Sequence, residues 1–215
     1  MKQNGKPAEF GRRYLRDAAF RGYVAICAGM AVNLAYAAFR AVTGVLYGSM
    51  WLISSAVYFL LLGVMRAVLA VSYRHVAGTR REVRLYRLTA WLLLVLNLTM
   101  GGMMLQTVRD NPAADYPGYT VYASATYTCW LTVHAILQLR RARCLDSPIL
   151  SASKSVSLTA ALMSVYGLQN TLIVQFSGGA EAFRVRMGIL TGTGIFAAVI
   201  VIALVMLRRR EWADE

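Results

Sequence analysis

Six apolar runs, at residues 23–46, 50–72, 88–107, 119–139, 148–176 and 187–207, recur along this chain with arginine clusters between them. A helix rising 1.5 Å per residue needs about 20 residues to cross the hydrocarbon core of a bilayer, and each run meets that length. The pattern predicts an all-α, polytopic integral membrane protein with six transmembrane helices. Composition agrees, because 58% of the residues are hydrophobic and 15% charged, against about 45–50% and 25% in soluble domains.

The net charge of +13 could point to nucleic acid, but its distribution argues otherwise. Seventeen of the 23 basic residues fall in four places: the N-terminal segment, the loops after the second and fourth runs, and the C-terminal tail. The loops after the first, third and fifth runs are poor in charge or acidic, with Asp110, Asp115 and Glu181. Positive charge stays on the cytoplasmic side of a membrane protein, so both termini are expected inside, in the plasma (cytoplasmic) membrane. The basicity is topological, with anionic lipid headgroups and not nucleic acid as its partner. Residues 1–22 mix arginines with Phe10, Tyr14 and Phe20 and read as a basic interfacial segment. Residues 23–207 form the membrane domain and residues 208–215 a short cytoplasmic tail. Cys27, Cys129 and Cys144 are isolated and indicate neither a disulfide framework nor a zinc site.

A charge at membrane depth is expensive, so each one marks a candidate site. All ten Asp and Glu residues lie in termini, loops or at span ends. The charges inside the spans are positive: Arg40 in the first, Arg66 in the second and Lys154 in the fifth. A long cation near a span end can snorkel to the headgroups, a role open to Arg66 and Lys154, whereas Arg40 lies deeper. Ser55, Tyr58, Leu62 and Arg66 recur at helical spacing and share one face of the second span. Ser153, Ser157, Ala160 and Ser164 do the same on the fifth. If these faces meet, the groove between them holds hydroxyls, a phenol and guanidinium groups but no anion. Ser55, Tyr58, Arg66, Ser153, Ser157, Arg40 and Lys154 are therefore the candidate substrate-binding residues. Such a set suits an anionic or neutral polar ligand, or a lipid headgroup, better than a cation. His134 and His75 are too far apart in the chain to make a metal site, so no metal and no cofactor are expected. No nucleotide loop or nucleophile elbow is present, and the chain does not read as an enzyme.

The run from Asn33 through Arg40 and Gly44, followed by Gly48-Ser49-Met50-Trp51-Leu52-Ile53-Ser54-Ser55-Ala56, resembles the first two spans of the cation diffusion facilitator (zinc transporter) family. Ser147-Pro148-Ile149-Leu150-Ser151-Ala152-Ser153 is similar to the start of that family's fifth span. The resemblance implies a six-helix transporter scaffold with cytoplasmic termini. It also implies zinc ligands at positions occupied here by Tyr58, Leu62, Val156 and Ala160, none of which holds a divalent cation. Ser55 and Ser153 stand where the family often has Asp. The expectation is a relative of that scaffold with its metal site absent.

Three functional readings follow. The first is a transporter-like protein handling an anionic or neutral polar solute or lipid. The second is a non-transporting lipid-binding or scaffolding protein, and the third a substrate-capture subunit of a multi-component importer. Gly44-Val45-Leu46-Tyr47-Gly48 and Gly188-Ile189-Leu190-Thr191-Gly192 are close-approach motifs that suggest seams inside the bundle more than a dimer contact, although the pattern admits a homodimer.

Overall fold

The computed structural model describes residues 18–75, 79–109, 118–141, 148–176 and 181–208. They form six helices: α1 (Ala18–Leu46), α2 (Met50–His75), α3 (Thr79–Arg109), α4 (Gly118–Arg141), α5 (Pro148–Phe176) and α6 (Glu181–Arg208). Five of them, all but α4, are long and apolar enough to cross a membrane. In α4, Ser124, Thr126, Thr128, Thr132 and His134 interrupt the apolar sequence, so its length alone suggests a span.

α2, α4 and α5 begin and end within three residues of the expected positions, α1 and α6 start five and six residues early, and α3 starts nine residues earlier than the apolar run within it. Its first turns, with Arg80, Arg81, Glu82, Arg84, Leu85 and Arg87, are rich in good helix formers, and Glu82 in the first turn offsets the helix dipole. The interfacial segment expected over residues 1–22 lies outside the described residues up to residue 17, and residues 18–22 open α1. Of the expected tail, Arg208 closes α6 and the remainder is likewise outside the described residues.

The tightest pair is α1 with α2, joined by a turn whose chemistry is local. Ser49 N donates to Gly44 O at 2.9 Å and Gly48 N to Val45 O at 3.4 Å. This is a Schellman stop, with Gly48 in the left-handed region at φ 61°. Ser49 then caps α2, its hydroxyl accepting from Leu52 N at 3.4 Å. A side chain at Gly48 meets no neighbour, so Gly48→Ala isolates the backbone cost. It is expected to destabilise the protein by about 1–2 kcal/mol, measured by thermal unfolding in detergent. An unchanged melting temperature would remove the turn as a determinant of the hairpin.

α5 touches all five other helices and is the axis of the bundle. Its sequence explains this position. Ala152, Ser153, Ser157, Thr159, Ala160, Ala161, Ser164 and Gly167 are all buried, and small residues let neighbours approach from every side. Of the five helices around α5, α4 packs on it most extensively; the remaining contacts pair α3 with α6 and α2 with α3. Between α3 and α6, Asn97 Nδ2 donates to Phe196 O at 3.1 Å, a clamp suited to a lipid medium where polar groups have no water to turn to. The glycine motifs resolve into different roles. Gly44 is buried against Ile53 and Leu52 in the α1–α2 seam, Gly188 is buried, and Gly192 faces Met104 across the α3–α6 seam. Gly48 serves the turn. The outward faces carry Val95, Leu98, Val133, Leu190, Val201 and Val205, all exposed and apolar, as lipid contact demands.

Candidate functional site

α1, α2, α4 and α5 contain no Asp or Glu, yet two arginines lie wholly inside them. Arg40 is 1% exposed and Arg66 is 0% exposed. Neither reaches a headgroup, so snorkelling is excluded for Arg66. An arginine at the centre of a membrane helix costs about 2.5–3.5 kcal/mol on insertion scales. The two positions meet this cost in different ways.

Arg40 is caged by neutral groups. Its Nε and Nη2 donate to the Tyr36 hydroxyl at 2.9 and 2.6 Å, and Nη1 donates to Ser55 Oγ at 3.1 Å. Tyr36 passes the contact on, donating to Ser124 Oγ of α4 at 3.2 Å. The guanidinium also lies 5.0 Å from the Tyr36 ring and 4.9 Å from the Trp51 ring, cation–π contacts that strengthen when water is absent. Gly167 of α5 gives it room, since a Cβ there would stand 3.0 Å from Nη2.

Arg66 is far less satisfied. Nη2 donates to Ser157 Oγ of α5 at 3.0 Å, and that hydroxyl donates to Ser153 O at 2.9 Å. Nε and Nη1 are buried with no hydrogen-bond partner. Nη1 occupies the notch left by Gly29 of α1, where an added Cβ would overlap it. One turn further along α1, Asn33 is 0% exposed. Its Oδ1 accepts from the Tyr127 hydroxyl of α4 at 3.0 Å, and its Nδ2 has no partner.

An aromatic layer separates the two guanidinium groups. Tyr36 and Tyr127 stack with centroids 3.5 Å apart, and Phe59 stands edge-on to each, at 4.9 and 5.5 Å. Ser55 and Arg66 are eleven residues apart on α2, about 16 Å at 1.5 Å per residue.

The residues expected from sequence thus separate into two groups. Ser55 belongs with Arg40, while Arg66 belongs with Ser157 and the carbonyl of Ser153. Tyr58 is buried on the same face of α2, edge-on to Phe59, with its hydroxyl unpartnered. Lys154, half-buried in the second turn of α5, stands apart from the fully buried set. The two serine-bearing faces do meet, through Arg66 and Ser157. Asn33, Tyr36, Trp51 and Tyr127 were not among the candidates. Tyr36 carried a signal in its spacing, four residues before Arg40 and so on the same face. Tyr127 carried none, because only the tertiary fold brings α4 to α1.

The orphaned atoms of α1 and α2 have one chemical character. Asn33 Nδ2, Trp51 Nε1, Arg66 Nε and Arg66 Nη1 can only donate, and the Tyr58 hydroxyl can donate. The centre offers positive charge and hydrogen-bond donors to a group that brings acceptors and negative charge. Among the described residues no group of three His, Cys, Asp or Glu is placed to hold a metal ion. Comparison with family models, curated proteins and solved structures returns no match.

Proposed function

We propose that this chain is a transporter-like membrane protein that handles an anion at the junction of α1, α2, α4 and α5. In this reading all six helices span the cytoplasmic membrane with both termini inside, and anionic lipid contacts the inner basic clusters. The observation that carries it is Arg66: fully buried, with two unpartnered nitrogens, among four helices that contain no carboxylate. A buried cation kept without a counter-charge is a standing cost to the fold, and a transient anionic ligand would offset it. The protein is further proposed to keep the scaffold of the cation diffusion facilitators with the ligand positions replaced. Supporting this, Tyr58, Leu62, Val156 and Ala160 are all buried, on the faces of α2 and α5 that carry Arg66 and Ser157.

Thermal unfolding in detergent tests this reading directly. Phosphate, sulfate or a carboxylate is expected to raise the melting temperature at constant ionic strength, by about 2.7 kcal/mol of stabilisation at a hundredfold excess over Kd. Zinc is expected to raise it no more than magnesium does. Stabilisation by micromolar zinc, with no response to any anion, would sink the proposal.

One observation favours a lipid ligand. Val165, Leu168, Gln169, Leu172 and Ile173 of α5 and Phe183 and Met187 of α6 line an open cleft of about 440 Å³. Its apolar walls suit an acyl chain, and a lipid seated there would make the protein a lipid binder without flux. A phospholipid that co-purifies stoichiometrically, in a preparation that moves no anion across liposomes, would favour this second reading.

A further inference from the structure

We infer that an oxyanion crosses this protein along a line of hydrogen-bond donors with two cationic stations, an outer one at Arg40 and Trp51 and an inner one at Arg66 and Asn33. The inference rests on the anion reading above and names both its ligand class and its route.

Each station combines a buried guanidinium with a donor that has no partner. At the outer station this donor is Trp51 Nε1, on the ring that covers Arg40. Arg40 is held by a phenol and a serine hydroxyl, acceptors without the negative charge that an anion would bring to the guanidinium. At the inner station the donors are Arg66 Nε, Arg66 Nη1 and Asn33 Nδ2. They come from two helices, so a ligand that satisfies them needs several acceptor atoms in different directions. An oxyanion has them.

Between the stations the polar atoms fall into two groups. Ser55 Oγ, Tyr36 OH and Ser124 Oγ gather about Arg40, and the Tyr127 hydroxyl bonded to Asn33 lies one helical turn of α1 from the Arg66 notch at Gly29. Tyr127 stands between Tyr36 and Asn33, stacked on the first and donating to the second. Its ring and those of Tyr36 and Phe59 close the space between the stations. The structure is therefore the occluded form, and passage requires this aromatic layer to part.

The test uses the full chain, purified for binding and reconstituted in liposomes for uptake, with labelled sulfate and inorganic phosphate as probes. The unaltered protein is expected to bind and take up at least one of them. Arg66→Gln should weaken equilibrium binding about tenfold or more, the factor that loss of a buried charged contact carries. Trp51→Phe keeps a ring over Arg40 and removes only the unpartnered donor. It should slow uptake about tenfold while leaving equilibrium binding within about twofold, and Arg40→Gln should act in the same direction. Thermal unfolding establishes that each variant is folded, and Trp51→Phe decides alone if Arg40→Gln does not fold. Normal uptake in Trp51→Phe overturns the two-station route and leaves the anion reading standing. An equal loss of binding and uptake in Trp51→Phe merges the stations into one and overturns the route as well. Failure of the unaltered protein to bind either oxyanion overturns the anion reading and the route together.

Discussion

Arg66→Met is expected to make the protein more stable and to abolish its response to anions. Methionine fills much of the same volume without a charge. Exchanging a buried ionic group for a well-packed apolar one is typically neutral or stabilising by about 1–4 kcal/mol. The usual penalty, an abandoned counter-ion, is absent because α1, α2, α4 and α5 contain no carboxylate. Among the described residues the only hydrogen bond lost is the one to Ser157 Oγ, and that hydroxyl still donates to Ser153 O. The measurement is a melting curve for each protein with and without anion. The unaltered chain should melt lower and gain from added anion, and the variant should melt higher and gain nothing. A variant that melts lower and keeps its gain would make Arg66 a structural strut.

The second large effect is expected at Gly29. A Cβ there overlaps Arg66 Nη1 and lies 2.8 Å from Cζ, so even alanine must displace the guanidinium from its notch. Overpacking of this kind costs about 1–3 kcal/mol. Because the obstacle is one side chain, the cost should largely vanish when that side chain is shortened. Gly29→Ala should therefore be damaging in the unaltered chain and nearly silent beside Arg66→Ala. Coupling of about 0.5–3 kcal/mol is expected from this double-mutant cycle. Additive effects would show that Gly29 packs against the α2 backbone and not against the arginine.

The helices were legible because membrane length and arginine spacing are properties of the chain itself. Arg66 and Ser157 were legible for a similar reason, since each shares a helical face with other buried polar residues. The separation of Arg40 from Arg66 was not, because it depends on how far apart two positions fall along a bundle once α1 is antiparallel to α2. Tyr127 was hidden for the same reason. Its contacts with Asn33 and Tyr36 join residues about ninety positions apart, and no periodicity records them. The early start of α3 shows a different limit. Hydropathy locates the apolar part of a helix and is blind to basic turns that extend it beyond that run. α4 sets the opposite problem, with the length of a span and too many hydroxyls to announce one.

The stop at Gly48 has a mechanical consequence. A three-residue link leaves α1 and α2 almost no slack, and the close approach at Gly44 locks them further, so the pair moves as a single lever. The polar contacts of the centre with α4 and α5 all reach outward from this lever: Tyr36 to Ser124, Asn33 to Tyr127, Arg66 to Ser157. Exchangeable hydrogen bonds, the stacked Tyr36–Tyr127 pair and the edge contact of Phe59 with Tyr127 cross that boundary. In the proposed transport, opening of the centre would take place there, as a rocking of one stiff hairpin against its neighbours: Arg40 travels together with its partners Tyr36 and Ser55, and Arg66 leaves Ser157 behind.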